Sequence, residues 1–315
     1  MPLRFAMLAS GSSGNAGWLL AGSHGLLIDA GLGPRRLAQR LSAVGAHWRE
    51  VSAVLLTHTH RDHWKEKTFN HLLERHIALF CHAYHAEYLA SVSFSFSKMD
   101  AKGLVHRYEA GQELSFASRL RCRPLWLSHD DRATFGFRFD IAADHDQPAQ
   151  ALAYLADLGC WDQELAWALT EIDLLALEFN HDVTMERNSN RSEHLIARVL
   201  GDNGHLSNEQ AAELLDTILG QSATKRLQHL VQLHLSRECN RTTLAVQAAR
   251  AVRARHGAHF QIHTALQSQA GPHLTLHERA FRSRLQPAIA AAVPTSPLPS
   301  ASAVIQPWLP GCELL

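Results

Sequence analysis

The apolar run Val51-Ser52-Ala53-Val54-Leu55-Leu56 ends on Thr57-His58-Thr59-His60-Arg61-Asp62-His63, and no other stretch restricts the fold as tightly. Six residues are too few for a stable helix, and a near-continuous apolar run reads as a strand covered on both faces. Such a strand releases the chain at a sheet rim, where three imidazoles and one carboxylate then share a tight turn. From an extended segment, His58 and His60 point the same way, which leaves Asp62 and His63 to reach a second position beside them. Imidazole nitrogen and carboxylate oxygen suit borderline divalent cations such as Zn, Mn or Fe. This is the spacing of a two-metal site. With 22 histidines in 315 residues a chance match is not negligible, and the strand before the turn is what separates a metal turn from a solvated polar one.

The same event recurs along the chain. Apolar runs ending at Leu56, Leu127, Leu155, Leu177 and Leu233 are followed by His58, His129, Asp157, Glu178 and His234. In α/β folds functional groups collect where strands end on one rim. One aspartate before a glycine is ordinarily a turn residue, and one histidine at a strand end is ordinarily an exposed one. Five such ends in chain order are a constellation.

Upstream, a strand over 3–8 leads into the polar loop 9–15, whose N–H groups could face an anion or simply turn the chain. A hairpin over 18–28 ends in Asp29, which either braces the metal turn or caps the helix expected over 34–44. Helices are expected over 65–75, 85–91, 192–200, 208–219 and 242–255. The alternating stretch Ser91 to Ser97 has no clear placement. From Leu104 to Phe139 short alternating runs with glycine breaks suggest a second, antiparallel sheet.

Composition narrows the rest. A hydrophobic content of 46% supports a large core, no apolar run spans a bilayer, and the N-terminus lacks a signal peptide's pattern. Five scattered cysteines form neither a disulfide framework nor a thiolate metal site, so a cytoplasmic protein with no membrane partner is expected. Thirty basic and thirty acidic residues cancel, so a nucleic-acid partner requires a local patch. Candidates are Arg187, Arg191, Arg198, Lys225, Arg226, Arg237 and Arg241.

His58, His60, Asp62, His63, His129, Asp157 and His234, with the strand ending in Asp29-Ala30-Gly31, resemble the metallo-β-lactamase fold superfamily over about residues 3 to 275. The phrases LASGSSGN, EFNHD, GDNGHLSN and LHLS look like its YycJ/WalJ branch, whose members are regarded as 5′→3′ DNA exonucleases. The resemblance implies an α/β fold, an αββα four-layer sandwich, over 1–278. It implies two divalent metal ions, Zn or Mn with Fe as a further option. His58, His60 and His129 would hold one and Asp62, His63 and His234 the other, with Asp157 bridging. A metal-bridging hydroxide, oriented by Asp62, would attack a phosphodiester of single-stranded nucleic acid, DNA preferred. The loops carrying Glu178 and His205 are similar to those of tRNase Z, which implies that His205 protonates the leaving oxygen and Glu178 orients it.

Other readings stay open on the sequence: a glyoxalase II-like thioester hydrolase, an RNase of the tRNase Z type, or a metal-bound module without hydrolytic activity. A flavodiiron enzyme would carry Glu where His60 stands, and a β-CASP nuclease would need more than residues 158–233 between Asp157 and His234. The segment 279–315 is Ala/Pro-rich and expected to be disordered. Its Gln306-Pro307-Trp308-Leu309 resembles the short peptides that dock on the bacterial sliding clamp.

Overall fold

The computed structural model of the chain describes residues 3–117, 119–130, 133–143 and 148–276; the tail 279–315, with Gln306–Leu309, lies outside the described residues. Strict alternation along the strands sorts side chains into three layers. In β1 (Leu3–Ala9), Phe5 and Met7 face one cluster and Ala6 and Leu8 another. In β4 (Val51–Leu55), Ala53 and Leu55 join Phe5, while Val54 and the following Leu56 join Leu8. In β11 (Leu174–Glu178), Leu174 and Ala176 share Phe5's cluster, and Leu175 and Leu177 turn to a third.

These clusters define the architecture. One seven-stranded sheet runs β14-β1-β2-β3-β4-β5-β6, adding β2 (Ala16–Ala21), β3 (His24–Ile28), β5 (Ala78–His82), β6 (Val105–Tyr108) and β14 (Leu274–Thr275). The other runs β13-β12-β11-β10-β9-β8-β7, with β7 (Leu114–Ser115), β8 (Leu120–Leu127), β9 (Thr134–Ile141), β10 (Gln150–Leu155), β12 (His229–Leu233) and β13 (Gln261–Thr264). Between them lie Phe5, Phe135, Phe137, Phe139 and Tyr154, all fully buried. On the outer face of the first sheet, α1 (Pro34–Ala43), α2 (Glu66–Arg75), α3 (Ala83–Val92) and α4 (Phe94–Ala101) bury Leu37, Leu41, Phe69, Leu72, Leu89 and Phe96. On the outer face of the second, α5 (Gln163–Ala168), α8 (Asn208–Gln221) and α9 (Thr242–Arg255) bury Leu165, Leu214, Leu215, Ala245 and Ala249, and the short helices α6 (Val183–Arg187) and α7 (Glu193–Leu200) lie in the connection from β11 to α8. The order is helix, sheet, sheet, helix. Truncating one of the central phenylalanines, as in Phe135→Ala, costs about 3–5 kcal/mol at such sites.

One sequence expectation changes, and one unplaced stretch finds its place. The run 104–139 does not belong to one sheet: β6 pairs parallel with β5 in the first sheet, and the second begins at β7. Periodicity reports faces and carries no information about which sheet edge a short strand joins. The alternating stretch 91–97 is helical. Ser93 ends α3 and its Oγ caps α4 by accepting from Phe96 N at 3.1 Å, so the serines break one helix and start the next.

Strands β10, β11 and β12 are parallel, β8 runs in the same sense, and their C-terminal ends reach one rim. The two sheets meet there, where Phe135 N donates to Thr57 O at 3.0 Å. Among the described residues no helix is long and apolar enough to cross a membrane.

Candidate dinuclear metal centre

Two loops brace the His-rich turn before any ligand is considered. Asp29, directly after β3, accepts from Thr57 N at 2.9 Å and Thr57 Oγ1 at 3.0 Å, and its Oδ2 lies 2.7 Å from His63 Nδ1. It therefore braces the turn; the cap of α1 is Gly33. Gly31 fits where no side chain does, since a Cβ there would sit 1.7 Å from Asp62 O. The polar loop 9–15 is a strut and not an anion cradle: the N–H groups of Ser10, Gly11, Ser13, Gly14 and Asn15 are all donated within the protein. Asn15 N donates to Asp62 O at 2.7 Å, and its Nδ2 lies 3.0 Å from both Asp62 Oδ2 and His63 Nε2.

The ligand candidates converge. His58, His60 and His129 bring ring nitrogens within 4.8 Å of one another, and so do His58, His63 and a carboxylate oxygen of Asp157. Asp62 Oδ2 lies 3.5 Å from His63 Nε2 and 3.6 Å from His234 Nε2, and Asp157 Oδ2 is 2.9 Å from His63 Nε2. Thus all seven residues singled out in the sequence meet at one rim, with Asp157 between two groups of donors. His58 and His63 are fully buried, and His60 is half-buried at the opening.

Ring orientation follows one rule. Nδ1 is occupied by a neighbour in His58 (Thr57 Oγ1, 3.0 Å), His63 (Asp29), His129 (Gly204 O, 2.8 Å) and His234 (Glu178 Oε1, 3.1 Å). That leaves Nε2 to face the centre, and the Nε2 atoms of His58 and His234 are buried without a hydrogen-bond partner. Orphaned nitrogens with oriented rings are what a cation requires of its imidazole ligands. The donor set and burial therefore fit two divalent cations, and the histidine–aspartate clusters are consistent with a dinuclear metal site.

The electrostatics agree. Burial, then the neighbouring His63, push His58 well below the usual imidazole range; burial alone does most of this for His129. Burial would raise Asp62 and Asp157, but adjacent imidazoles outweigh it and hold both carboxyls well below their ordinary values. Burial would lower His63 and His234, yet Asp29 and Asp157 push the first far up, as Asp157 and Asp62 do the second. The cluster of anions demands positive charge, which bound cations supply in place of protons.

Glu178 and His205 also lie at this rim. His205 Nδ1 is 2.8 Å from Glu178 Oε1, and its ring centroid lies 5.0 Å from that of His129 and 5.2 Å from that of His234. Glu178 could itself be counted with Asp157, His205 and His234 as a metal ligand by distance. Its contacts argue otherwise: Oε1 holds both histidines, and Oε2 accepts from Leu158 N at 2.9 Å. Its carboxyl is drawn to about 2 because the His205 charge and hydrogen bonds outweigh burial. His205 moves up, since Glu178 and Asp157 outweigh its own burial.

Sequence reasoning missed several contributors. Asn180 Nδ2 holds His234 O at 2.7 Å, and Asn240 Nδ2 ties Phe179 O and Asn180 O at 2.9 Å each. Asp29, Asp157 and His234 take left-handed backbone with φ of 64°, 58° and 54°, a strained choice for non-glycine residues that re-aims each side chain at a strand end. Asn15 reads as a turn residue in a Gly/Ser loop, and only the fold brings it to Asp62. Three of the seven residues of the proposed basic strip are paired with carboxylates: Arg191 with buried Glu186 at 3.0 Å, Arg198 with Asp130 at 2.5 Å, and Arg226 with Asp173.

Comparison with known proteins agrees with this geometry. The chain is 29% identical over 242 residues to the exodeoxyribonuclease WalJ of Streptococcus pneumoniae, covering 77% of this chain and 85% of the relative. It is 26% identical over 261 residues to the exodeoxyribonuclease YycJ of Bacillus anthracis, covering 78% and 87%. Among solved structures, the metallo-β-lactamase fold protein YhfI of Bacillus subtilis superposes with a TM-score of 0.60 at 16% identity, over 86% of this chain and 99% of that one. The Zn(2+)-bound PqqB of Methylobacterium extorquens gives 0.59 at 15% identity, over 85% and 99%. Residues 24–229 match the family described as the beta-lactamase superfamily domain, and with its sandwich and its rim of histidines and aspartates the chain belongs to the metallo-β-lactamase superfamily.

Proposed function

We propose that this chain is a two-metal phosphodiesterase acting as a 5′→3′ exonuclease on single-stranded DNA. In this reading His58, His60 and His129 would hold one cation and Asp62, His63 and His234 the second, with Asp157 placed between the two sets. Divalent cations there lower the pKa of attacking water and offset charge on the phosphoryl oxygens. The ionised Asp62 carboxylate would accept a hydrogen bond from the attacking water and orient it. His205, held through Nδ1 by Glu178, donates the proton on Nε2 to the departing sugar oxygen.

The Glu178–His205 pair beside the metal cluster carries this reading. An alkoxide leaves poorly unless protonated, whereas a thiolate, with a pKa of about 8.5, leaves without help. A proton donor poised at the cluster thus favours a phosphodiester over a glyoxalase II-like thioester. Relatives named as exodeoxyribonucleases support DNA over RNA. The test is end-labelled single-stranded DNA and RNA, blocked at either end, incubated with Mn- or Zn-loaded protein. Products appearing only from a free 5′ end of DNA are expected; thioester hydrolysis without nuclease activity would overturn the reading.

A further inference from the structure

Cavities border both sides of the metal cluster, and they differ in chemistry. On the His234 side, a cavity of about 510 Å³ is bordered by Ser10, Ser12, Ser236, Arg237 and Arg241 and has no aromatic lining. On the His60 side, one of about 540 Å³ is bordered by His60, Arg61, Tyr84 and Tyr88. A third cavity, about 710 Å³ between α8 and α9, presents Glu209 and Glu213, which repel a polyanion, while its Asp216 is paired with Arg255 at 2.8 Å.

The His60-side cavity has the features of a base-stacking site. Tyr84 and Tyr88 stand four residues apart on α3, so both project from one helix face, and they are 53% and 44% exposed. Neither ring fills the core. Tyr84 is steadied by a near-parallel stack on His82, with ring centroids 5.5 Å apart. The Arg61 guanidinium lies 4.2 Å from the centroid of the buried Trp64 ring, which fixes an exposed cation beside the ligand candidates His60 and Asp62. Asp130 on the rim is neutralised by Arg198 at 2.5 Å. Glu87, exposed on the same rim, disfavours a phosphate there but not a base.

We infer that this cavity receives an unpaired nucleobase next to the scissile phosphate, stacked on Tyr84 and Tyr88, with Arg61 contacting the adjoining phosphate. The inference rests on the nuclease reading above and adds its selectivity: a base within a duplex must first be unpaired and unstacked to enter, so the site favours single strands. Every base has a π-face, so the site tolerates any sequence.

The test uses the full-length protein, Mn-loaded and with chelator, and a phosphorothioate single strand carrying 2-aminopurine near its 5′ end. Stacking quenches the 2-aminopurine on binding. The double variant Tyr84→Ala/Tyr88→Ala should weaken binding about 10- to 100-fold and abolish quenching, while Tyr84→Phe/Tyr88→Phe restores both. Trp167→Ala, an exposed aromatic on α5, serves as the control and should bind like the parent. Replacing the base by an abasic residue should weaken the parent by a similar factor and the Ala variant no further. Parent binding with unchanged affinity and quenching in the Ala variant would overturn the subsite alone. A parent that neither binds nor cuts single-stranded DNA would overturn the nuclease reading and the subsite with it.

Discussion

The two halves of the candidate metal centre are built in opposite ways. The first half, His58 to His63, is one continuous turn after β4, and its geometry comes from local braces: Asp29 on Thr57 and His63, Asn15 on Asp62, and Gly31 beneath Asp62 O. The second half draws His129, Asp157, Glu178, His205 and His234 from separate strand ends and one loop of the second sheet. No short segment holds it; register does, through the parallel pairing of β10, β11 and β12. Damage to the first half should spread across several ligands at once, and damage to the second should stay with the residue changed.

The largest effect expected is on catalysis. His205→Ala removes the proposed proton donor and leaves the seven candidate metal ligands in place, so metal content should stay constant while turnover falls about 10²- to 10⁴-fold. An unchanged rate at full metal content would remove His205 from the reaction. Next comes a brace of the first half. Asp29→Asn loses the carboxylate partner of His63 and should weaken metal binding about 10- to 100-fold, read by chelator competition. Loss confined to one cation without change in the other would contradict the idea that the turn acts as a unit.

Proton linkage separates the halves further. Turnover should fall as pH rises through the raised pKa of His205, because the donor then loses its proton, and Glu178→Gln should shift that limb downward towards 6.5. The same pair sets an acid limit on stability. Glu178 titrates near 2 in the folded chain against an ordinary 4.5, so its ionisation stabilises the fold above 4.5, and that contribution is lost as pH falls through about 2. In chelator, acid unfolding of Glu178→Gln should therefore lack the loss of stability that the parent shows between those values. The smallest effect belongs to the exposed Arg198–Asp130 pair: Arg198→Ala should alter stability by less than about 1 kcal/mol, measured by urea unfolding.

How much was legible beforehand follows from the same contrast. The first half could be read directly, because four donors in six residues after a buried strand leave few interpretations. The second half could be read only as a set, since Asp157 alone is a turn residue and His129 alone a surface one. Of the braces, Asp29 could be read only as one of two options, a brace or a cap, and Asn15 not at all. Asn15 and Asp62 are 47 residues apart, and nothing in a Gly/Ser loop says what it will touch. Left-handed backbone at Asp29, Asp157 and His234 leaves only a weak mark in residue type, since Asp and His are enriched there but sit mostly elsewhere, and glycine, the usual signal, is absent from these positions. The stretch around Ser93 could not be placed because a capping serine between two short helices gives the alternation of a strand.

Metal stoichiometry tests the centre most directly. Elemental analysis after loading with Zn or Mn and desalting should give two ions per chain for the parent, about one for His129→Ala, and fewer than one for Gly31→Val, whose side chain cannot fit against Asp62 O. One ion or none in the parent, or two retained in Gly31→Val, would contradict a dinuclear centre whose first half is a single braced turn.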